Sequence, residues 1–270
     1  MSSFEAILYG LIQGLSEFLP VSSSGHLALI PHVMKIQDPG VIFDLMMHLG
    51  TALAVMTYFR KDLFNYVRVL GPSLVDLKKG TESQWFVRNF IIATFVSILC
   101  IVLLLPISKL ARDPSIIVFN LSFFGILLWL ADEKNRRLNV RSDSHFEQGL
   151  NLKAAILIGA AQAIAIFPGV SRSGITLTAA LFLGLGRKEA GKFSFLMSLP
   201  IILAGIFKEI PDLINASGEK IQVLVIGVVT SFVIGWLTIH FFMKLISKIH
   251  LWVFTIYRII IATLIWMYVV

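Results

Sequence analysis

Long apolar runs alternate with short polar connections along the whole chain. Six runs are long enough, with help from flanking residues, to cross a hydrocarbon core of ~30 Å as helices. They are approximately Ile42–Phe59, Phe86–Leu105, Ile116–Ala131, Phe193–Phe207, Val223–Met243 and Leu251–Val270. This pattern predicts an all-α polytopic membrane protein with six transmembrane helices.

Two further apolar regions are interrupted at their centres by Ser, Gly and Pro residues. The first consists of Phe4–Phe18 and Leu27–Met34, and the second of Leu152–Phe167 and Ile175–Leu185. These pieces are too short or too interrupted to form clean spans, and irregular backbone at membrane depth is tolerated only where protein buries it. We therefore predict two re-entrant helical hairpins whose broken tips lie inside the protein.

The two interrupted regions resemble each other. A shift of 149 residues aligns them without a gap and makes 7 of the 16 positions from Gly10 to Gly25 identical. Three predicted spans separate the copies, and an odd number of crossings inverts the second copy. The sequence therefore predicts an inverted-topology repeat, approximately residues 1–131 and 150–270, in a single membrane domain that covers residues 1–270.

The basic residues lie mainly on one side of this predicted topology. Of the 23 Lys and Arg residues, 16 fall on one side, 5 on the other, and Arg172 and Arg258 lie within apolar regions. The richer side is expected to be cytoplasmic. Both termini are then expected on the outer (periplasmic or extracellular) side, and the connections at approximately residues 60–84 and 132–151 are expected to be cytoplasmic loops.

The composition agrees with a membrane protein. The chain is 57% hydrophobic and 14% charged, with a mean hydropathy of +0.84, which exceeds what a soluble domain of this size needs. The net charge of +7 comes largely from residues beside apolar runs, so it indicates membrane orientation and no nucleic-acid partner. The single cysteine excludes an intramolecular disulfide.

The residues at the two interruptions suit an anionic ligand. Gln13 and Glu17 are four residues apart and share one helical face. Gly25 and His26 open the helix after the first interruption, and Ser171–Gly174 open the helix after the second. A helix start exposes free N–H groups and a partial positive charge, which together bind anions.

The charged residues make a phosphate the preferred anion. Arg172 can hold phosphate oxygens in a bidentate fork. Glu17 would repel a phosphate unless it binds a cation or acts as a base, so we expect Mg²⁺ or Ca²⁺ to bridge Glu17 and the substrate. Close helix packing is the alternative explanation of Ser- and Gly-rich breaks, but buried ionisable groups are costly and favour a functional site.

Other polar residues leave their roles open or point to the interface. Asp44 and His48, four residues apart, are either supporting partners of the site or an interfacial hydrogen-bonded pair. Arg258 is expected to snorkel to the cytoplasmic interface. Tyr257, like other aromatic residues at the ends of apolar runs, is expected to anchor its helix at the interface.

Taken together, the motifs resemble one family. Gln13-x-x-x-Glu17 followed by Phe-Leu-Pro-Val-Ser-Ser-Ser-Gly-His26, with Pro168-Gly-Val-Ser-Arg172-Ser-Gly-Ile-Thr176, is similar to bacterial undecaprenyl-diphosphate phosphatases of the bacitracin-resistance type. The resemblance covers essentially the whole chain. It implies hydrolysis of undecaprenyl diphosphate, which recycles the lipid carrier of peptidoglycan synthesis, a dependence on divalent cations, and a homodimer in the bacterial cytoplasmic (inner) membrane.

The resemblance also implies roles for single residues. Glu17, Ser23, His26 and Arg172 fall at the catalytic positions, with Ser23 the preferred nucleophile and direct attack by water the alternative. Many family members carry Glu at the position of Gln13, so Glu17 is left as the group that handles the metal or the proton. The other motif residues expected to bind substrate are Gln13, Ser22, Ser24, Gly25, Gly169, Ser171, Ser173, Gly174 and Thr176.

A transport function is the main alternative. Inverted repeats with broken helices are the plan of many secondary transporters, so the same sequence is compatible with a flippase for the polyprenyl lipid. Lipid that crosses between leaflets without phosphate release would favour transport, and the two activities can coexist.

Overall fold

The computed structural model describes residues 2–34, 36, 39–75, 80–108, 113–138, 150–214 and 218–268. These residues form eleven α-helices and no strand. The helices are α1 (Ser3–Ser16), α2 (Ser23–Met34), α3 (Val41–Tyr58), α4 (Arg60–Val75), α5 (Glu82–Ser108), α6 (Pro114–Arg137), α7 (Leu152–Ala163), α8 (Arg172–Phe182), α9 (Arg187–Ile214), α10 (Gly218–Leu245) and α11 (Trp252–Tyr268), and a 3-10 helix (Ile164–Ile166) follows α7. Residues 76–79 and 139–149 of the two predicted cytoplasmic loops lie outside the described ranges.

The longest apolar runs form the helices that can cross a membrane. Within the described residues, α5, α6 and the apolar parts of α9 and α10 are long and apolar enough to do so. The bent pair α3 and α4 adds a fifth if it is counted as one span, and α11 is shorter, with 17 residues or about 25 Å. An all-helical, multi-pass membrane protein is therefore confirmed, with four or five spans by length and composition.

The outer surface of these helices is apolar. Phe95 and Leu103 on α5 are 65% and 66% exposed, and Phe119 on α6 is 61% exposed. Aromatic residues fill the centre, where Phe18 meets Phe195 of α9 edge to face with ring centroids 5.1 Å apart. Contiguous apolar surface of this extent is what contact with lipid requires.

The predicted loop at residues 60–84 begins with a helix. α4 continues the chain at 80° to α3, and Leu63, Tyr66 and Val69 on it pack against the core. These apolar residues recur at helical spacing, but the charged residues Arg60, Lys61 and Asp62 before them give the start of this segment the composition of a polar connection. Lys192 at the start of α9 donates to Asp62 at 2.7 Å and ties α4 to the body of the protein.

Each predicted hairpin is a pair of helices joined by a break with the same backbone feature. Ser22 precedes α2 with φ 74°, and Ser171 precedes α8 with φ 71°. Positive φ is uncommon for a residue with a side chain and persists only where the surroundings impose it. The two serines are the pair that the 149-residue shift aligns, so the copies share local geometry as well as sequence.

The first arm of each hairpin packs against a helix from the other half of the chain. α1 packs on α10, and α7 packs on α5. A Cβ added to Gly10 would lie 2.6 Å from the carbonyl oxygen of Gly227, and one added to Gly159 would collide with the backbone of Ala93. Gly10 and Gly159 are again partners in the repeat, and only glycine permits these close approaches.

Buried polar residues join three helix ends on the side that the sequence assigns to the cytoplasm. The carboxylate of Asp132 pairs with the guanidinium of Arg187 and accepts from the backbone N–H of Leu251 at 3.0 Å. Arg187 also donates to the carbonyl oxygen of Ile249 at 2.8 Å. These contacts hold α6, the start of α9 and the turn before α11 together.

Candidate functional site

Glu17 is the centre of the candidate site. It directly follows α1 and is 6% exposed. One carboxylate oxygen, Oε1, accepts from Nη2 of Arg172 at 2.5 Å. The other oxygen, Oε2, accepts from the hydroxyl of Ser23 at 2.6 Å and from the amide of Gln13 at 3.0 Å. The fold therefore brings residues of both motifs onto one carboxylate.

Arg172 is held from two directions. It is the first residue of α8, and while Nη2 binds Glu17, Nη1 donates to the carbonyl oxygen of Ser194 on α9 at 3.1 Å. The hydroxyl groups of Ser194 and Thr176 lie 2.6 Å apart, which fixes α8 against α9. Burial makes an unpaired charge costly, so the carboxylate and the guanidinium stabilise each other's charged form. Ser194 had no signal in the sequence beyond being a polar residue in an apolar run.

His48 on α3 also contacts the carboxylate. Its Nε2 lies 3.4 Å from Oε2 of Glu17, and its Nδ1 lies 2.7 Å from the carbonyl oxygen of Asp44. Of the two roles considered for His48, the structure places it as a supporting partner of the site. The i, i+4 spacing from Asp44 was the signal that could have found it.

His26 lies at the site but has different partners. Its Nδ1 is 2.8 Å from the carbonyl oxygen of Ser22, and its Nε2 is 2.7 Å from the hydroxyl oxygen of Tyr257 on α11. Among the contacts of the described residues, none joins His26 to Glu17 or Arg172. Tyr257 was expected only to anchor its helix and is a contact that the sequence analysis missed.

The serines and glycines of the breaks form two similar tips. The hydroxyl groups of Ser22 and Ser24 are 3.3 Å apart, and those of Ser171 and Ser173 are 3.4 Å apart. Gly174 donates its N–H to the hydroxyl of Ser171 at 3.1 Å, so part of the α8 start is already capped.

The two tips touch each other. Ser173 donates to the carbonyl oxygen of Leu19 at 3.1 Å and links hairpin two to hairpin one. Near each tip is a glycine of the motif. Gly25 lies beside Ser22, while Gly169 has φ 86° and packs so closely on α6 that a Cβ would lie 2.6 Å from the carbonyl oxygen of Ile117.

Arg258 does not snorkel, and that prediction is wrong. Its side chain is 0% exposed and donates to five backbone carbonyl oxygens. They belong to Pro20 at 3.4 Å in hairpin one, Gly169 at 2.9 Å and Val170 at 3.0 Å in hairpin two, and Asn120 at 3.2 Å and Leu121 at 2.9 Å on α6. A broken helix leaves carbonyl groups without partners, and a buried guanidinium supplies donors where water is absent.

The oxygen atoms around Glu17 could bind a cation only together with oxygen atoms from a bound phosphate group or from water. Among the described residues, no group of three or more His, Cys, Asp and Glu side chains is arranged to hold a metal ion. The amide oxygen of Gln13 is buried without a hydrogen-bond partner next to Glu17. Carboxylate, amide and hydroxyl oxygens are ligands that Mg²⁺ and Ca²⁺ accept, and both ions commonly take further oxygens from phosphate groups and water.

Comparison with known proteins covers nearly the whole chain. The family described as "Bacitracin resistance protein BacA" matches residues 6–264. A protein named undecaprenyl-diphosphatase from Marinobacter nauticus is 42% identical over 274 residues, which cover 98% of each chain. A protein named undecaprenyl-diphosphatase 2 from Stutzerimonas stutzeri is 40% identical over 266 residues, which cover 97% of this chain and 96% of the relative.

Proposed function

Since this chain belongs to the bacitracin resistance protein BacA family, we propose that it hydrolyses undecaprenyl diphosphate to undecaprenyl phosphate and inorganic phosphate. The names of its relatives support this activity. The observation that carries it is the contact of 2.5 Å between Glu17 and Arg172, which places an acid and a phosphate-binding cation of two distant motifs in one site. The product is the lipid carrier that peptidoglycan synthesis reuses, and its recycling counteracts bacitracin.

Arg172 is the main group that binds the terminal phosphate. When substrate enters, a phosphate oxygen competes with Glu17 for Nη2, while the bond from Nη1 to Ser194 keeps the guanidinium in place. Negative charge on the phosphoryl oxygens is then stabilised by a group that needs little reorganisation. Positioning and electrostatic stabilisation of this kind are the usual means of phosphoryl transfer.

Ser23 is the nucleophile and Glu17 its base. Their hydrogen bond of 2.6 Å joins a partly exposed hydroxyl to a buried carboxylate, the pairing that activates a hydroxyl. The Ser23 oxygen bonds to the terminal phosphorus, its proton passes to Glu17, and the phosphorus–oxygen bond to undecaprenyl phosphate breaks. Water then releases inorganic phosphate from Ser23. Acid quenching of one turnover with label in the terminal phosphate tests this route, since label that never reaches Ser23 indicates direct attack by water.

A divalent cation, Mg²⁺ or Ca²⁺, fits beside this pair. Glu17 would hold it with the oxygen that Arg172 now occupies, and the unpartnered amide oxygen of Gln13 would contribute a second ligand. The cation would neutralise part of the diphosphate charge. The neutral amide oxygen of Gln13 would thereby coordinate the cation at a motif position where, according to the family resemblance, many members carry a carboxylate.

The molecule is an inverted-topology repeat with six spans and two re-entrant hairpins. This finer architecture is supported by the matching positive φ of Ser22 and Ser171 and by the reciprocal packing of α1 on α10 and α7 on α5. The basic residues near the Asp132–Arg187 pair support a cytoplasmic position for that end. Both termini and the mouth of hairpin one then face outward in the bacterial inner membrane, and the homodimer stays a prediction of the family resemblance.

Arg172→Ala tests the proposed function. We expect the rate at which the purified variant in detergent releases phosphate from a polyprenyl diphosphate to fall at least about 100-fold. A loss of this size is typical when a donor to the transition state is removed. Arg137→Ala is the matched control, because Arg137 is exposed, lies outside the site and pairs with its helical neighbour Glu133. Chelator treatment followed by added Mg²⁺ or Ca²⁺ tests the cation in the same assay.

Near-normal turnover by folded Arg172→Ala enzyme would reject the assignment of the site. Reconstitution in liposomes separates the transport alternative. Undecaprenyl diphosphate that crosses between leaflets without release of phosphate would favour a flippase.

A further inference from the structure

The imidazole of His26 lies between two hydrogen-bonding partners. Its Nδ1 faces the carbonyl oxygen of Ser22 at 2.8 Å, and a carbonyl only accepts, so Nδ1 carries the proton of the neutral ring. Nε2 then holds the lone pair and accepts the hydrogen bond that Tyr257 donates at 2.7 Å. The hydroxyl of Tyr257 therefore fixes the direction of the lone pair on the one nitrogen of His26 that can exchange a proton with a reactant.

The neighbouring residue fixes the position of Tyr257. Arg258 donates to the carbonyl oxygens of Pro20 in hairpin one and of Gly169 in hairpin two. α11 cannot rotate at this point without breaking bonds to both hairpins. The rings of His26 and Tyr257 are nearly parallel, with an angle of 6° between them and centroids 5.6 Å apart. The bonds of Arg258 to the two hairpins therefore fix the contact between His26 and Tyr257.

We propose that Tyr257 is a positioning residue of the reaction, which holds His26 in its Nδ1–H tautomer with Nε2 at the accessible edge of the site. This rests on the proposed phosphatase activity and adds to it that His26 exchanges a proton with the phosphate or with the attacking water. Tyr257 is 41% exposed, so reactants can reach the pair. Without the hydroxyl, only the bond from Nδ1 to the carbonyl oxygen of Ser22 restrains the imidazole, so the ring moves more and a smaller fraction of the enzyme is ready to react.

Tyr257→Phe keeps the ring and removes only the hydroxyl. We expect kcat to fall about 5- to 10-fold at nearly constant KM, the scale of one lost hydrogen bond. Tyr268→Phe is the matched control, because Tyr268 is on the same helix and 80% exposed, and it should retain wild-type kinetics. Wild-type kcat in Tyr257→Phe enzyme would overturn the proposal.

A double-mutant cycle separates positioning from a general structural effect. If Tyr257 acts through His26, Tyr257→Phe should cause no further loss in a His26→Gln background. A further loss of 5-fold or more in the double variant would overturn the proposal, as would full activity of His26→Gln alone.

Nitrogen NMR gives a readout that does not depend on turnover. The chain has six histidines, and the signals of His26 in protein labelled with ¹⁵N-histidine are identified by their loss in His26→Gln. We expect Tyr257→Phe to shift the Nε2 signal of His26, and an unchanged signal would contradict the proposed contact. Absence of phosphate release from the wild-type enzyme would instead reject the proposed function, and the NMR result would still be interpretable.

Discussion

Arg172, which is partly buried, and Arg258, which is fully buried, have guanidinium groups with different kinds of partners. Arg172 contacts a carboxylate and one backbone carbonyl, and in the proposed mechanism phosphate replaces the carboxylate. Arg258 contacts five backbone carbonyls and is fully buried. The guanidinium of Arg172 is thus available to substrate in the proposed mechanism. The guanidinium of Arg258 instead supplies hydrogen-bond donors to the carbonyl groups at the two helix breaks.

Arg258→Met should therefore lower the free energy of unfolding more strongly than it lowers the reaction rate of the enzyme that stays folded. Each buried carbonyl left without a donor costs about 1–3 kcal/mol, so we expect a clear fall in the melting temperature in detergent. Arg172→Met should lose activity, and its melting temperature should fall less than that of Arg258→Met, because Glu17 keeps its contacts with Ser23 and Gln13. Equal melting temperatures for Arg258→Met and the wild type would contradict the role assigned to Arg258.

At the scale of elements, the two hairpins depend on close contacts of their first arms. Gly10 on α1 approaches Gly227 on α10, and Gly159 on α7 approaches Ala93 on α5. Gln162, the repeat partner of Gln13, donates to Ser97 on α5 at 3.0 Å and holds its arm in register. In hairpin one the same position serves the site, since Gln13 donates to Glu17. The same motif position thus makes a packing contact in hairpin two and a contact with the candidate site in hairpin one.

Gly10→Ala and Gly159→Ala should each destabilise the protein by about 1–3 kcal/mol, the usual cost of forcing an extra group into a packed contact. Both should also lower activity, because the helix arms set the positions of the tips. Gly71→Ala on α4 is the control, since among the described residues nothing outside its own helix backbone lies within 4 Å of the added Cβ. Thermal unfolding and phosphate release measured on all three variants check this, and equal behaviour of the three would disprove it.

At the scale of the whole molecule, the site forms where two halves of the chain meet. Glu17 comes from the first half and Arg172 from the second, and Ser173 and Arg258 connect the tips by bonds to Leu19 and Pro20. Neither hairpin alone holds an acid and a phosphate-binding cation. Dependence on both halves explains why such distant motifs must be retained in one chain.

Cysteine labelling tests the proposed orientation in the membrane. In a Cys100→Ser background, cysteine at Ser3 should react with a membrane-impermeant maleimide in intact spheroplasts. Cysteine at Arg137 should react only after the membrane is opened, because the basic end is expected in the cytoplasm. The reverse pattern would invert the topology and place the site on the other face.

Several features of the fold and the site could be predicted from sequence because their physical causes are local. Apolar runs identified the long helices, and Ser, Gly and Pro identified the breaks before α2 and α8. The connection at residues 60–84 was predicted without the helix α4, because the charges at its start concealed the helical spacing of Leu63, Tyr66 and Val69. The spacing of Asp44 and His48 indicated a pair but left its partner open.

The sequence by itself determined that this is an apolar, helical chain with two related polar breaks, and that its motifs belong to a phosphatase family. Only the tertiary structure decided that Arg258 holds both breaks, that Tyr257 faces His26, and that Glu17 receives Arg172 and Ser23 together. Apolarity and helix breaking arise from residues close in sequence. Contacts between distant parts of the chain depend on the rotation and register of packed helices, which no local pattern encodes.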